Sequence, residues 1–293
     1  MNQTPSTLRL GDGRQLAWYE YGDAAGLPCV YITGTPASGL AGQTYDKAAA
    51  ESGVRWISVD KPGYGHSDRS PRRRLVDWPS DLRALVDRLG LDRFAVVGES
   101  GGGSHALVTA HAMPERITTA VVVSGLGPGD DPHAREGMKP ANKLLFGLAQ
   151  RAPWALGVPI GAMARALADD RKTQRALDKL NEGAPAADQA AYQDEEFAAP
   201  FLAATRDAFR HGTAGTIDEL RMLAKPWGFR LQDVRVHVDL FHGEQDTNVP
   251  VAVARRLVEA LSDCDARFYP GLGHLLAVSK RGEILDCVRA STG

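Results

Sequence analysis

Ser100, Asp246 and His274 are the side chains in this sequence best suited to act on one another. A serine hydroxyl is a weak nucleophile at neutral pH; it needs a base to take its proton, and the base needs an anion to orient it. Ser100 stands in Gly98-Glu99-Ser100-Gly101-Gly102, which fits G-x-S-x-G. In a chain with 31 glycines the pentapeptide also reads as a plain turn. Its context separates the two readings: the apolar run Phe94 to Val97 reads as a buried strand, and alanine-rich Ser104 to Ala112 reads as a helix. A serine in such a turn is strained, and its flanking glycines have no room for side chains. The hydroxyl then sits above a helix N-terminus, where backbone N–H groups favour a developing negative charge.

The partners lie at the ends of later strands. Val236 to Phe241 runs into His242-Gly243-Glu244-Gln245-Asp246, and Ala266 to Tyr269 runs into Pro270-Gly271-Leu272-Gly273-His274. Glu244, Asp130 and Asp131 compete with Asp246 as the acid, and His242 competes with His274 as the base. Glu99, beside the serine, reads as an exposed or ion-paired residue before a proton-transfer group, and His66 as structural or solvated. His105 and His111 lie six apart on one helix, a spacing that does not place two metal ligands on one face. No metal and no cofactor is expected.

The elements that must position these residues alternate. Ser6 to Leu10 and Gln15 to Glu20 read as a hairpin about Gly11-Asp12-Gly13. Strands follow at Pro28 to Ile32, Val54 to Val59, Phe94 to Val97 and Thr118 to Gly125, with an amphipathic helix over Leu75 to Leu89 closed by Gly90. This rhythm predicts an α/β protein with a mostly parallel central sheet flanked by helices. It breaks at Gly127-Pro128-Gly129-Asp130-Asp131-Pro132; from about residue 133 to 227 the patterns are helical, over Asn142–Gln150, Pro159–Ala168, Lys172–Leu180, Ala187–Asp194 and Phe197–Phe209. The expectation is a core of residues 1–127 and 228–293 with a helical cap, 128–227, inserted after the sixth strand. Phe146, Trp154, Met222 and Trp227 are its candidate substrate contacts. Pro250 to Leu261 and Leu275 to Arg289 complete the helices.

Composition narrows the classes. With 34 basic and 36 acidic residues the net charge of −2 gives no reason to expect nucleic acid or an anionic membrane as partner. Hydrophobic content of 43% and charged content of 24% are ordinary for a soluble globular chain. Three cysteines, Cys29, Cys264 and Cys287, suggest neither a disulfide framework nor a zinc site, and a reducing cytoplasmic setting is expected. No apolar run of about 18 residues or leader-like segment occurs.

Together these motifs resemble the α/β-hydrolase fold superfamily, in its lidded serine hydrolase and esterase branch. Asp60-Lys61-Pro62-Gly63-Tyr64-Gly65-His66-Ser67 is similar to that family's D-x-P-G-x-G-x-S loop, Gly98 to Gly103 to its elbow, Gly243 to Asp246 to its acid loop, and Gly273-His274 to its histidine loop. Lys225-Pro226-Trp227-Gly228-Phe229 resembles bacterial, actinobacterial members. The resemblance implies Ser100 as nucleophile, His274 as base and then acid, Asp246 as orienting carboxylate, and the backbone N–H groups of Thr35 and Gly101 as oxyanion hole. It implies hydrolysis of a carboxylic ester, lactone or thioester of a small to medium apolar substrate, without cofactor. The same triad could instead cleave a carbon–carbon bond or act on a biosynthetic intermediate, or the fold could serve as a ligand receptor. One departure stands out. Thr33-Gly34-Thr35-Pro36 replaces the usual His-Gly-x-Pro, so Thr33 or Thr35 is expected to take over bonding of the missing side chain; Thr33 and Gly34 are further substrate-side candidates.

Overall fold

The computed structural model describes residues 4–173, 175 and 183–290. Eight strands form one sheet: β1 (Ser6–Arg9), β2 (Gln15–Gly22), β3 (Leu27–Ile32), β4 (Val54–Val59), β5 (Phe94–Glu99), β6 (Ile117–Val123), β7 (Val238–Gly243) and β8 (Cys264–Tyr269), in the order β1-β2-β4-β3-β5-β6-β7-β8. β1 and β2 form the expected hairpin and β2 pairs antiparallel with β4; every other pairing is parallel. Parallel strands buried on both faces favour apolar residues at successive positions, which is why β3, most of β5 and the end of β6 read as apolar runs, while β7 carries the buried polar residues Asp239 and His242.

Alternation along each strand divides those residues between two cores. Val30, Ile32, Ile57, Val59, Val96 and Val122 face one side, where α2 (Trp78–Arg88), α3 (Gly101–Ala112) and α9 (Val251–Ala260) cover them. Cys29, Tyr31, Trp56, Val97, Val121 and Phe241 face the other, under α1 (Asp46–Glu51) and α10 (Ala277–Ala290). Tyr31, Tyr45 and Trp56 pack ring on ring there, with centroids 4.5 to 5.4 Å apart.

Between β6 and β7 the chain passes through α4 (Pro140–Arg151), α5 (Gly157–Leu167), α6 (Ala186–Ala191), α7 (Glu195–Asp207) and α8 (Ala214–Leu223). The helix expected over Lys172–Leu180 lies largely outside the described residues. This insert has a small core of its own, formed by Ala149, Leu156, Ile160, Leu220 and Ala224. It is also seated on the sheet domain: the Ser38 N–H donates to the Ala204 carbonyl at 3.1 Å, and Arg281 of α10 lies 3.7 Å from Asp194. Among the described residues no helix is long and apolar enough to cross a membrane.

Candidate active site

The turn from β5 into α3 follows from local sterics. Ser100 has φ +50° and ψ −117°, a region costly for a side chain-bearing residue. Neighbouring glycines make it feasible: a Cβ on Gly98 would overlap the Gly102 carbonyl, and one on Gly102 would overlap the Ile32 carbonyl. The strained residue is held from both sides, its N–H donating to the Val123 carbonyl at 2.9 Å and its carbonyl accepting from the Gly103 N–H at 3.0 Å.

Asp246 and His274 arrive from the loops after β7 and β8. Asp246 is buried, and its Oδ1 accepts the backbone N–H groups of Asn248 and Val249 at 2.8 and 2.9 Å. That leaves Oδ2 for His274, whose Nδ1 lies 2.7 Å away. With Nδ1–H donating to Asp246, Nε2 is an acceptor, and it lies 3.1 Å from the Ser100 Oγ. Burial disfavours the imidazolium, yet the Asp246 charge and hydrogen bond outweigh burial and raise the His274 pKa above its usual value. A base so poised takes a proton from a serine more readily than a free imidazole does.

Rival candidates lie elsewhere. His242 is buried and pushed below its ordinary pKa, with Nε2 donating to the Val249 carbonyl at 2.8 Å and lying 3.6 Å from Asp246. Glu244 pairs with Arg255 at 3.4 Å and Asp131 with Arg256 at 2.8 Å. The backbone N–H of His66 donates to Asp60 at 2.8 Å, and the same carboxylate takes the Gly39 N–H at 2.6 Å, so this loop braces the sheet edge. Glu99 is not an exposed charge. Tyr45 and Tyr31 donate to its two oxygens at 2.5 and 2.8 Å, while burial pushes its carboxyl upward against those donors.

The loop carrying Thr33, Gly34 and Thr35 passes directly over the serine. A Cβ on Gly34 would lie 3.3 Å from the Ser100 Cβ, and one on Gly101 would overlap the Thr35 Oγ1. The Gly101 N–H, in the first turn of α3, has no partner within its helix. The expected substitution of threonine bonding for the missing histidine is met only in part. Thr33 Oγ1 donates locally, to the Ala37 carbonyl at 3.0 Å. The main anchor is Lys61, whose Nζ donates to the Thr33 and Gly34 carbonyls at 2.9 Å each and lies 3.3 Å from Thr35 Oγ1.

Lys61 is wholly buried and pairs at 2.8 Å with Glu219 of α8, also wholly buried. Burial alone would raise the Glu219 carboxyl; the Lys61 charge, with Arg73 adding to it, reverses that and holds it well down. His105 is pushed to about 3 by burial, so it is neutral, and its Nδ1–H donates to the Gly101 carbonyl at 3.0 Å. Sequence reasoning missed Lys61 and Glu219 at the site. A lysine directly after a buried strand was the available signal, with nothing to name its partner.

Of the candidate substrate contacts, Trp154 is 85% exposed. Met222 and Trp227 are buried in the same core as Ile32 and Leu82, with the Trp227 ring stacked on Phe229. Phe146 is half-buried between that core and the core of the insert. Leu223, next to Met222, approaches the serine turn, its Cδ1 3.4 Å from where a Gly101 Cβ would stand.

A family model described as the alpha/beta hydrolase fold matches residues 30–280. The chain belongs to that family. Solved structures with the same fold include a bromoperoxidase from Bacillus anthracis (TM-score 0.70, 22% identity, 98% of this chain and 99% of that one). An esterase from Rhodococcus sp. ECU1013 is also similar (TM-score 0.69, 19% identity, 98% of each chain). Among curated relatives, a non-heme chloroperoxidase of Streptomyces lividans is 32% identical over 124 residues, 42% of this chain and 45% of that protein. The dihydrolipoyllysine-residue acetyltransferase component of the acetoin cleaving system of Pseudomonas putida is 30% identical over 127 residues, 43% of this chain. This alpha/beta hydrolase fold chain thus aligns with 34% and 45% of those two relatives' lengths.

Proposed function

We propose that the protein is a serine hydrolase that cleaves a carboxylic ester, or a related lactone or thioester, through an acyl-enzyme. The observation that carries this reading is the unbroken relay from Asp246 through His274 to Ser100, with contacts of 2.7 and 3.1 Å. Ser100 Oγ attacks the substrate carbonyl as its proton passes to His274 Nε2; Asp246 stabilises the imidazolium, which then protonates the leaving group. Water enters by the same route in reverse and frees the acid. The Gly101 and Thr35 N–H groups receive the oxyanion, a donor pair in which each member typically lowers the barrier by about 3 kcal/mol. Lys61 fixes that loop by holding its carbonyls. Leu223 gives the site an apolar side, which fits an apolar acyl or alcohol group. In this reading helices α4 to α8, within residues 128–227, form a cap over the site. Free thiols at Cys29, Cys264 and Cys287 fit a reducing compartment, and we place the protein in the cytoplasm.

The family match agrees with a hydrolase, and the esterases among the structural neighbours share its fold. The test is covalent labelling with a fluorophosphonate followed by turnover of a short p-nitrophenyl ester. Wild-type protein labels and turns over, and Ser100→Ala does neither. Labelling without ester turnover would transfer the same triad to carbon–carbon cleavage. Absence of labelling would leave a ligand receptor as the better account.

A further inference from the structure

Asp188 stands on α6, in the insert, far in the chain from the three residues of the relay. Its side chain nonetheless ends at the histidine loop. Oδ2 accepts the backbone N–H of His274 at 2.9 Å, and Oδ1 accepts that of Leu275 at 3.0 Å. The residue is 6% exposed, so both bonds are made away from water, where a carboxylate needs such donors. The loop is shaped to receive it: a Cβ on Gly273 would overlap the carboxylate. The His274 carbonyl is held separately, by the Ser124 hydroxyl at 3.1 Å, and α10 begins directly afterwards.

We propose that Asp188 is a positioning residue through which the insert holds the His274 imidazole in line with Ser100. The inference rests on the hydrolase reading given above and adds a residue to it. Asp246 fixes the ring through Nδ1, but a ring is aimed only as well as its backbone is fixed. The His274 backbone has one anchor at its carbonyl and one at its N–H, and the second comes from Asp188. The same carboxylate also faces the imidazole as a charge. Around that ring stand Asp246, Asp188 and Glu99 as acidic groups and the Ser100 hydroxyl; His242 lies behind Asp246, and Arg281 of α10 acts on Glu99. Asp188 adds to Asp246 in favouring the imidazolium.

The two roles separate in two variants. Asp188→Ala removes both acceptors and the charge; Asp188→Asn keeps one acceptor and removes the charge. The proposal expects Asp188→Ala to lower kcat about 10- to 100-fold on a p-nitrophenyl ester, with KM within about twofold, the scale of a misplaced group. Asp188→Asn loses less kcat. Both move the acid limb of the kcat/KM profile to lower pH, and both move the His274 Nδ1–H titration the same way in proton NMR, a readout that needs no substrate. A role in merely seating the insert predicts the opposite split: lower melting temperature and raised KM, with kcat and the titration unchanged. That outcome overturns the proposal, as does any folded variant with wild-type kcat and titration. Failure of wild-type protein to label with fluorophosphonate sinks the hydrolase reading instead, and the NMR titration still decides whether Asp188 acts on His274.

Discussion

Replacing Lys61 by methionine separates what a buried ion pair does for stability from what it does for the site. Methionine matches the length of the stem but brings no charge. The substitution leaves the Glu219 carboxylate wholly buried without its counter-ion and the Thr33 and Gly34 carbonyls without the donor now 2.9 Å away. Breaking such a pair by removing one partner costs about 3–5 kcal/mol. With an unfolding entropy of about 2.1 cal/mol/K per residue, a chain of 293 residues should lose about 5–8 °C of Tm. The double variant Lys61→Met/Glu219→Leu removes both charges; apolar replacement of a whole buried pair is often neutral, so the part of the Tm loss due to the unpaired carboxylate should return, leaving only the smaller cost of the carbonyls that have lost their donor. Turnover should not return with it. The loop bearing the Thr35 N–H has still lost its clamp, and one misplaced oxyanion donor costs about 100-fold or more in kcat. Differential scanning calorimetry and p-nitrophenyl ester kinetics on the same preparations read both quantities. A double variant that is as active as it is stable refutes the assignment of Lys61 to the loop and leaves it a structural lysine.

The pH dependence follows from His274. Because Asp246 outweighs burial and raises the imidazole, and only the neutral ring accepts the serine proton, kcat/KM should fall on acidification along a limb centred above pH 6.5. Asp246→Asn should move that limb downward and cut kcat about 10³–10⁴-fold; an unmoved limb assigns it to another group. Gly273→Ala should lower both kcat and Tm through its clash with the Asp188 carboxylate, and Asp188→Ala should relieve part of the Tm loss, read as a coupling in a double-mutant cycle. Thr35→Val should keep the backbone donor but lose the hydroxyl beside Lys61; unchanged turnover restricts Thr35 to its N–H.

The sheet could be read from the sequence because its central strands are buried on both faces and all of its strands are bounded by turns. The runs at residues 28–32, 54–59 and 94–97 fall within strands β3, β4 and β5. Ser100, Asp246 and His274 were readable for a related reason: glycines that admit no Cβ mark the serine turn and the histidine loop. Helix α8 escaped notice on physical grounds. It buries Thr216, Asp218 and Glu219 beside Leu220, Met222 and Leu223, so its inward face is part polar and shows no clean apolar period. The facing of Trp154 could not be read either, since an aromatic residue in an apolar run packs inward in most helices and here does not. Pairs such as Lys61 with Glu219 and His274 with Asp188 cannot be matched from the sequence, because nothing within either segment names the distant partner.

Those two long-range links share a cause. Loops at the carboxyl edge of a parallel sheet carry N–H and C=O groups that have left the strand ladder, and once buried they must be paired. The side chains of the two sheet cores are largely apolar and cannot supply partners. The Thr33 and Gly34 carbonyls take theirs from Lys61, whose charge then needs Glu219; the His274 and Leu275 N–H groups take theirs from Asp188. Glu219 and Asp188 both come from the insert between β6 and β7, so that segment completes the hydrogen bonding of the loops on either side of Ser100. Sequence changes in the insert are therefore constrained at positions 188 and 219. Exposed positions such as Leu144, Trp154 and Val158, 61 to 85% accessible, carry no comparable constraint.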